Sequence, residues 1–363
     1  MKRISRDPSK FDLLHAVDRL VRAKGLNIRE PTNTQAIFDE LRNQFARTQP
    51  DDIFFHGHRV ETLFGYVAAS LGRCRLIKRE DAGEVFSSVD GLRIPDYRIA
   101  TTDGRQLMVE VKNCHTGDPQ EPFEIKKEYL HGLRAYATSF GCGLFFAIYW
   151  SRAKQWTLLS AEDLNDGPSR STITMIEALR RSRMHVLGDR LIGTVPVLML
   201  RLIGSADSGH ADAADGHYLF RTAEAQLFCG KDLIREATEQ QIAWFLMNNG
   251  RWDVSESPAE FDGPRLSAVS FLVTPSERNN PEQDFEIVGT LSELVSRQFD
   301  DVTTRDGEIT SISPQAEPAA FGISIPEDFK GAALRLWMFD ILPPELPLPN
   351  REEPDDENIR PSI

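Results

Sequence analysis

Residues Ile94 to Asn113, Ile-Pro-Asp-Tyr-Arg-Ile-Ala-Thr-Thr-Asp-Gly-Arg-Gln-Leu-Met-Val-Glu-Val-Lys-Asn, constrain the fold more than any other stretch of the chain. Apolar residues flank an Asp-Gly turn signal, and the second arm alternates from Leu107 to Asn113, which is the pattern of a β-hairpin. Strand side chains repeat every two residues, so Glu110 and Lys112 point to one face while Leu107, Val109 and Val111 fill the other. Turn length then decides where Asp96 falls. A two-residue Asp103-Gly104 turn would set Asp96 opposite Val111, with its carboxylate on the wrong face. A three-residue loop (Thr102, Asp103, Gly104) with a left-handed Gly104 and a bulge sets Asp96 opposite Glu110, and glycine tolerates that positive φ. This longer loop, or an equivalent bend at Pro95, is the expected one.

Two carboxylates and a lysine on one strand face suit a hard divalent ion and a reaction that develops negative charge. The constellation Pro95-Asp96 followed by Glu110-Val111-Lys112 resembles the PD-(D/E)xK nuclease superfamily. That resemblance implies Asp96 and Glu110 as ligands of Mg²⁺, with Mn²⁺ as a substitute, Val111 as a carbonyl ligand and Lys112 as the catalytic lysine. It also implies hydrolysis of DNA phosphodiester bonds. Proteins of this superfamily often place a glutamate on the helix before the hairpin. Here that is Glu61, at the edge of the stripe Val60, Phe64, Val67 and Leu71 and near Gly65 and Ala68. Downstream, Ile125, Tyr129, Leu133, Tyr136 and Phe140 keep helical spacing, and apolar runs follow at Gly143–Trp150 and Trp156–Leu159. The fold class expected is α/β, a restriction-endonuclease-like core of order αβββαβ around a mixed central sheet. An N-terminal helical segment and a C-terminal α+β domain would flank it.

At 363 residues the chain exceeds one average domain. The expected division is a helical segment over 1–52, the nuclease core over 53–165, an accessory α+β domain over 166–342 and an acidic, proline-rich disordered tail over 343–363. No apolar run reaches the ~18 residues a membrane span needs. The start lacks the apolar core of a signal peptide. Four cysteines are scattered without Cys-x-x-Cys spacing, which indicates neither a zinc knuckle nor a disulfide framework and makes the cytoplasm the expected location. A net charge of −13 counts against a simple nucleic-acid binder. Local patches decide steering, however, and Glu345, Glu352, Glu353, Asp355, Asp356 and Glu357 concentrate in the tail.

Elsewhere the patterns are less specific. Phe11, Leu14, Val17 and Val21 predict a helix ended by Gly25, and Ile37, Leu41 and Phe45 a second, capped near Asn33 or Thr34. The nearby Lys2, Arg3, Arg6 and Lys10 read as a solvated helix surface more readily than as a DNA-binding arm. His56 and His58 read as loop features beside the site. Lys126 is the candidate to face the site from the next helix, or else a snorkelling lysine over core surface. Ser169–Leu187 predicts a helix whose Arg180, Arg181 and Arg183, with His185, either satisfy its macrodipole or meet nucleic-acid phosphates. Thr194–Ile203 and Ser267–Val273 predict strands, Leu233–Asn249 a helix, and Thr290 with Glu293 a capping box for a helix through Phe299. Ser205–His217 is expected to be a flexible loop whose His210, Asp212, Asp215 and His217 only imitate a metal site. Ala332–Leu342 predicts a strand. No recognition helix stands out in 166–342, so dimerisation, DNA binding and partner docking fit that region equally.

The function expected is a divalent-metal-dependent endodeoxyribonuclease of prokaryotic restriction or phage defence. A Holliday junction resolvase or DNA-repair nuclease is the nearest alternative. A non-catalytic DNA-binding or assembly subunit of a defence complex is the alternative of another class.

Overall fold

The computed structural model describes residues 17–18, 21–27, 29–48, 52–80, 85–205, 220–263, 265–275, 283–323, 325–326 and 328–346. Of the first expected helix only the end lies among them, where Gly25 takes φ +67°. Lys2, Arg3, Arg6, Lys10, Phe11 and Leu14 fall outside, as do the loop holding His210, Asp212, Asp215 and His217 and the tail beyond Leu346.

A 3-10 turn at Pro31–Asn33 leads into α1 (Thr34–Thr48). Ile37 faces inward, whereas Phe38 and Phe45 are exposed. Helix α2 (Asp52–Ser70) buries Val60, Leu63, Phe64 and Val67 against one face of a five-stranded sheet. Its strands are β1 (Cys74–Arg79), β2 (Tyr97–Thr101), β3 (Gln106–Cys114), β5 (Gly143–Trp150) and β6 (Gln155–Ser160), in that spatial order. Between β3 and β5 run β4 (Phe123–Lys126) and α3 (Lys127–Ser139), and the latter covers the opposite face with Leu130, Leu133 and Tyr136. Neighbours are antiparallel except β3 and β5, which are parallel and joined through α3. The architecture is therefore mixed α/β around a mixed sheet. Both faces are covered, so β5 reads as a continuous apolar run.

The hairpin forms through the three-residue loop. Gly104 has φ +90°, its N–H donates to the Thr101 carbonyl, and the Thr101 N–H donates to the Arg105 carbonyl. Tyr97 pairs with Val109 and Ile99 with Leu107, and one more step of the same ladder sets Asp96 opposite Glu110. Tyr97, Ile99, Leu107, Val109 and Val111 join the α2-side core, and Met108 the α3-side core. The face bearing Glu110 is thus also packed, not open.

Four expectations need correction. The helix expected over Ser169–Leu187 is a strand, a helix and a 3-10 turn. After the two-residue β7 (Asn165–Asp166), β8 (Arg170–Ile173) pairs with β4, and Thr174 then caps α4 (Met175–Arg181) by accepting from the Glu177 N–H. A β-branched run, Thr172-Ile173-Thr174, favours extended backbone once a partner strand is present. The single strand expected over Thr194–Ile203 is two, β9 (Leu191–Thr194) and β10 (Leu198–Gly204), because Pro196 cannot donate to a ladder. Strands β11 (Thr222–Cys229) and β12 (Asp232–Ile234) follow, so the helix expected from Leu233 is α5 (Ala237–Asn249). The last strand is shorter than Ala332–Leu342.

Strands β13 (Trp252–Glu256), β14 (Ala259–Asp262) and β15 (Arg265–Pro275) complete a six-stranded antiparallel sheet with β10 to β12. β16 (Glu286–Thr290) leads into α6 (Leu291–Thr303), whose cap is Thr290 accepting from the Glu293 N–H. After a short ladder, β17 (Thr304–Arg305) with β18 (Glu308–Ile309), β19 (Leu336–Phe339) joins β9 and β16 in a three-stranded sheet. One hydrophobic cluster runs from Phe64 and Val111 through Trp156 to Leu246, Val295 and Phe299, across the sequence boundary at 165/166. Among the described residues no helix is long and apolar enough to cross a membrane, and all four cysteines are free.

Candidate active site

Two residues of β3 and the residue just before β2 converge beneath the first turn of α3. Glu110 is 2 % exposed, and its Oε1 accepts hydrogen bonds from Lys112 Nζ and from the Tyr129 hydroxyl. Its other oxygen, Oε2, is buried with no hydrogen-bond partner. Asp96 Oδ2 accepts the Val111 N–H at 2.7 Å, which draws the carboxylate toward the neighbouring strand. Burial, then the nearby Glu110 charge, push the Asp96 carboxyl up to about 7, with Glu61 adding to the rise and the Val111 N–H and Lys112 opposing it. Burial alone would depress the Lys112 ammonium, but Glu110 and Tyr129 more than offset that and hold it above its ordinary value. Lys112 therefore stays protonated across the neutral range. Its Nζ also lies 5.1 Å from the centre of the Tyr129 ring, a cation–π contact.

Glu61 approaches from α2. Its Oε2 takes Arg79 Nη2 at 2.7 Å and His58 Nδ1 at 3.0 Å, and its backbone carbonyl accepts the Tyr97 hydroxyl at 2.9 Å. A glycine at position 65 makes this approach possible, since a Cβ there would stand 2.8 Å from the Tyr97 hydroxyl. Glu61 is thus close enough to act on Asp96 electrostatically while held by Arg79 and His58. Both histidines expected in a loop lie on α2 itself, and His56 stacks edge-on against His115 instead.

The remaining nominated residues lie elsewhere. Lys126 ends strand β4, is exposed, and does not sit on the helix at all. The helical side chain that does reach the site is Tyr129. Arg181 and Arg183 are turned onto the Asp163 carbonyl and carboxylate respectively, and Arg180 is exposed at the end of α4. Val111 contributes its N–H to Asp96, as described.

Sequence reasoning treated Tyr129 and Tyr136 only as core aromatics. They stand seven apart on α3, hence on one helix face, and each donates a hydroxyl to a carboxylate on the sheet. Tyr136 meets Glu80, which is 7 % exposed and also takes Lys78 Nζ at 3.0 Å. Burial would raise the Glu80 carboxyl, but the hydrogen bonds from Tyr136 and Lys78 outweigh it and leave it lowered. The available signal was the residue type: a buried tyrosine needs a partner for its hydroxyl, and Glu80, just past β1, and Glu110 on β3 supplied acceptors.

The site's chemistry fits a divalent cation on one observation. Glu110 Oε2 is an unpartnered, buried carboxylate oxygen beside a second carboxylate that burial and repulsion destabilise in its charged form. A cation between the two would relieve both costs. Asp96 and Glu110 would hold it. Among the described residues no group of three or more His, Cys, Asp or Glu side chains is placed to bind a metal, so the remaining coordination would fall to backbone and solvent oxygens.

No protein-family model matches the chain, and no curated protein matches it. Among solved structures, Hjc of Archaeoglobus fulgidus, a Holliday junction resolvase from an archaeal hyperthermophile, is similar over 28 % of this chain and 76 % of its own. The identity is 20 % and the TM-score 0.23, a likeness too slight to carry an argument about function.

Proposed function

We propose that this chain is a divalent-metal-dependent endodeoxyribonuclease with a restriction-endonuclease-like core, and that Asp96, Glu110 and Lys112 carry the reaction. The observation behind the reading is the pairing of half-buried Asp96 with buried Glu110, whose Oε2 is unpartnered, beside a protonated lysine on the same strand face. Mg²⁺ or Mn²⁺ held by the two carboxylates and the Val111 carbonyl would supply Lewis-acid charge beside the phosphoryl group. Lys112, kept cationic by Glu110, is suited to offset charge developing on the phosphoryl oxygens and to orient the attacking water, not to remove its proton at neutral pH. Tyr129 fixes Glu110 Oε1 and so leaves Oε2 available to the ion. Exposed Arg75 on edge strand β1 adds local positive charge to a chain of net charge −13 and suits backbone contact with DNA. Restriction or phage defence is the setting proposed, with residues 166–342 serving a second copy or a partner.

The test is cleavage of supercoiled plasmid by purified protein in Mg²⁺ or Mn²⁺, beside Asp96→Ala and Lys112→Ala. Metal-dependent nicking confined to the wild type is the expected result. Equal nicking by all three, or none by any, would end the proposal.

A further inference from the structure

Strands β3 and β5 run parallel, and their carboxyl ends leave the sheet side by side, with His115 following β3 and Ser151 following β5. The two are bonded to each other. His115 Nδ1 lies 2.7 Å from the Ser151 hydroxyl, which also donates to the Cys114 carbonyl at 3.2 Å. His115 Nε2 lies 2.8 Å from the Asn113 amide nitrogen. In the neutral ring Nε2 therefore accepts from Asn113, and Nδ1–H donates to Ser151. From α2, His56 packs edge-on against His115 with ring centres 5.8 Å apart. Arg152 joins from the turn after β5, its Nη1 standing 3.2 Å from where a Cβ on Gly117 would be. His56, His115 and Arg152 are all exposed.

Burial, then the neighbouring His56 and Arg152, hold the His115 pKa below its ordinary value, so these groups repel one another. No carboxylate among the described residues is bonded to any of the three. The acids of the adjoining loop are engaged otherwise, Glu121 by the Thr116 hydroxyl and Asp118 by the Gln120 N–H. A cluster of like-signed groups without a counter-charge, in a chain of net charge −13, is the complement of an anion. One buried atom supports the same reading: Asn113 Oδ1 has no partner. Half a turn of that amide sets Oδ1 in place of the nitrogen against His115 Nε2, and the ring can then carry both protons, between Oδ1 and the Ser151 oxygen. A neighbouring anion stabilises such an imidazolium. The cluster also continues the candidate site along both elements that present it. On β3, His115 lies three residues past Lys112, about 10 Å at ~3.3 Å per residue. On α2, His56 lies five residues ahead of Glu61. Ligands of α/β sheets bind outside the carboxyl ends of parallel strands, which is where these residues stand. We infer that His56, His115 and Arg152 hold a backbone phosphate of the DNA strand flanking the bond to be cut, with His115 taking up a proton from solvent as the phosphate arrives. This rests on the nuclease reading above.

The experiment uses full-length wild type, His115→Gln and Arg152→Gln, with Arg235→Gln as a change to an exposed cation beyond β12. Binding of a fluorescein-labelled DNA duplex is read in Ca²⁺ over about 50–200 mM salt, at pH 6 and pH 8, and cleavage in Mg²⁺ or Mn²⁺. The altered side chains are exposed, so the variants fold alike. Each phosphate contact contributes about −0.9 to the slope of log K against log salt. Arg152→Gln is therefore expected to make that slope shallower by about 1 and to bind about 5-fold more weakly, while Arg235→Gln matches wild type. Wild type should bind tighter at pH 6 than at pH 8, and His115→Gln should lose most of that gain. An unchanged slope in Arg152→Gln, an equal loss in Arg235→Gln, or a His115→Gln pH dependence equal to that of wild type overturns the inference. Wild type that binds with these dependences but cuts nothing removes the nuclease reading alone. Wild type that cuts while His115→Gln and Arg152→Gln bind as it does removes this inference alone.

Discussion

Asp96→Asn separates stability from function in a way that tests the site's electrostatics directly. In the unfolded chain the Asp96 proton leaves near 3.8; in the folded protein it is held until about 7. Between those values the folded state binds more protons, so stability falls as pH rises through that window, and above 7 the full penalty of the ionised form is present. The interval corresponds to about 4 kcal/mol if taken whole. Asp96 is partly exposed, and solvent screening reduces the usable figure to about 1–3 kcal/mol. Asparagine keeps the acceptor for the Val111 N–H and removes the charge facing Glu110 and Glu61, while Lys112 retains Glu110 as partner. At pH 8 without metal, Asp96→Asn is therefore expected to melt about 2–10 °C above wild type. At pH 5, a little over a third of the way through that window, the difference should shrink to about a third, and below pH 3.8 the two should coincide. Saturating Mn²⁺ should raise the melting temperature of wild type but not of the variant, since metal bound at 100 times its Kd adds about 2.7 kcal/mol. Thermal unfolding by circular dichroism at pH 5 to 8, with and without metal, is the assay. A variant no more stable than wild type at pH 8, or stabilised equally by Mn²⁺, would refute the reasoning.

Other substitutions probe single contacts. Lys112→Ala removes the one cation on the site face of β3 and should slow single-turnover DNA cleavage by about 10²–10³-fold; a loss under tenfold would discount its role. Tyr129→Phe keeps the ring under the ammonium but removes the donor to Glu110, so cleavage should fall about 10-fold. Tyr129→Leu should fall further because the ring goes too, and equal rates for Tyr129→Phe and wild type would count against the hydroxyl. Gly132→Ala forces a Cβ against the Gly91 carbonyl and should lower stability by about 1–3 kcal/mol in urea titration; an unchanged midpoint would mean the loop yields freely. Asp300→Ala strands Arg59, whose side chain is 8 % exposed, and should destabilise by about 3 kcal/mol in the same titration, a loss under 1 kcal/mol arguing that water replaces the carboxylate.

The hairpin was legible because its determinants are local. A glycine able to take positive φ and a period-two pattern fixed the register that carries Asp96 to Glu110, and α2 and α3 followed from helical stripes. Errors arose where distant partners decide. Thr172–Thr174 is extended because β4 offers a strand some 45 residues earlier, which no window over Ser169–Leu187 contains. Pro196 was a local signal that a long apolar run obscured. At the site, Glu110 and Lys112 share a strand face by spacing and Asp96 joins them through the length of the loop, whereas the Tyr129 hydroxyl could be placed only once α3 was docked. Lys126 was misassigned for the reverse reason: the helix starts two residues later than its stripe, so the lysine ends a strand.

The least legible feature bears most on how the chain works as a unit. Arg59 lies on α2 two residues before Glu61, and its guanidinium is gripped from α6 by Asp300 Oδ1 at 2.6 Å and Thr303 Oγ1 at 2.8 Å. Glu293, on the same helix, is 1 % exposed and takes Arg251 and Arg297, with Gln155 of β6 at 3.2 Å. Trp156 of β6 donates its indole N–H to Ser296 of α6 at 3.0 Å. A helix encoded some 240 residues downstream thus clamps the one that presents Glu61, and it does so through buried polar contacts whose loss is costly. Apolar packing alone would let α2 slide by a fraction of a turn at little expense, because hydrophobic contact is non-directional. Directional bonds at Arg59 fix its rotation, and with it the distance from Glu61 to Asp96. The C-terminal half is in this sense part of the framework that positions the candidate site.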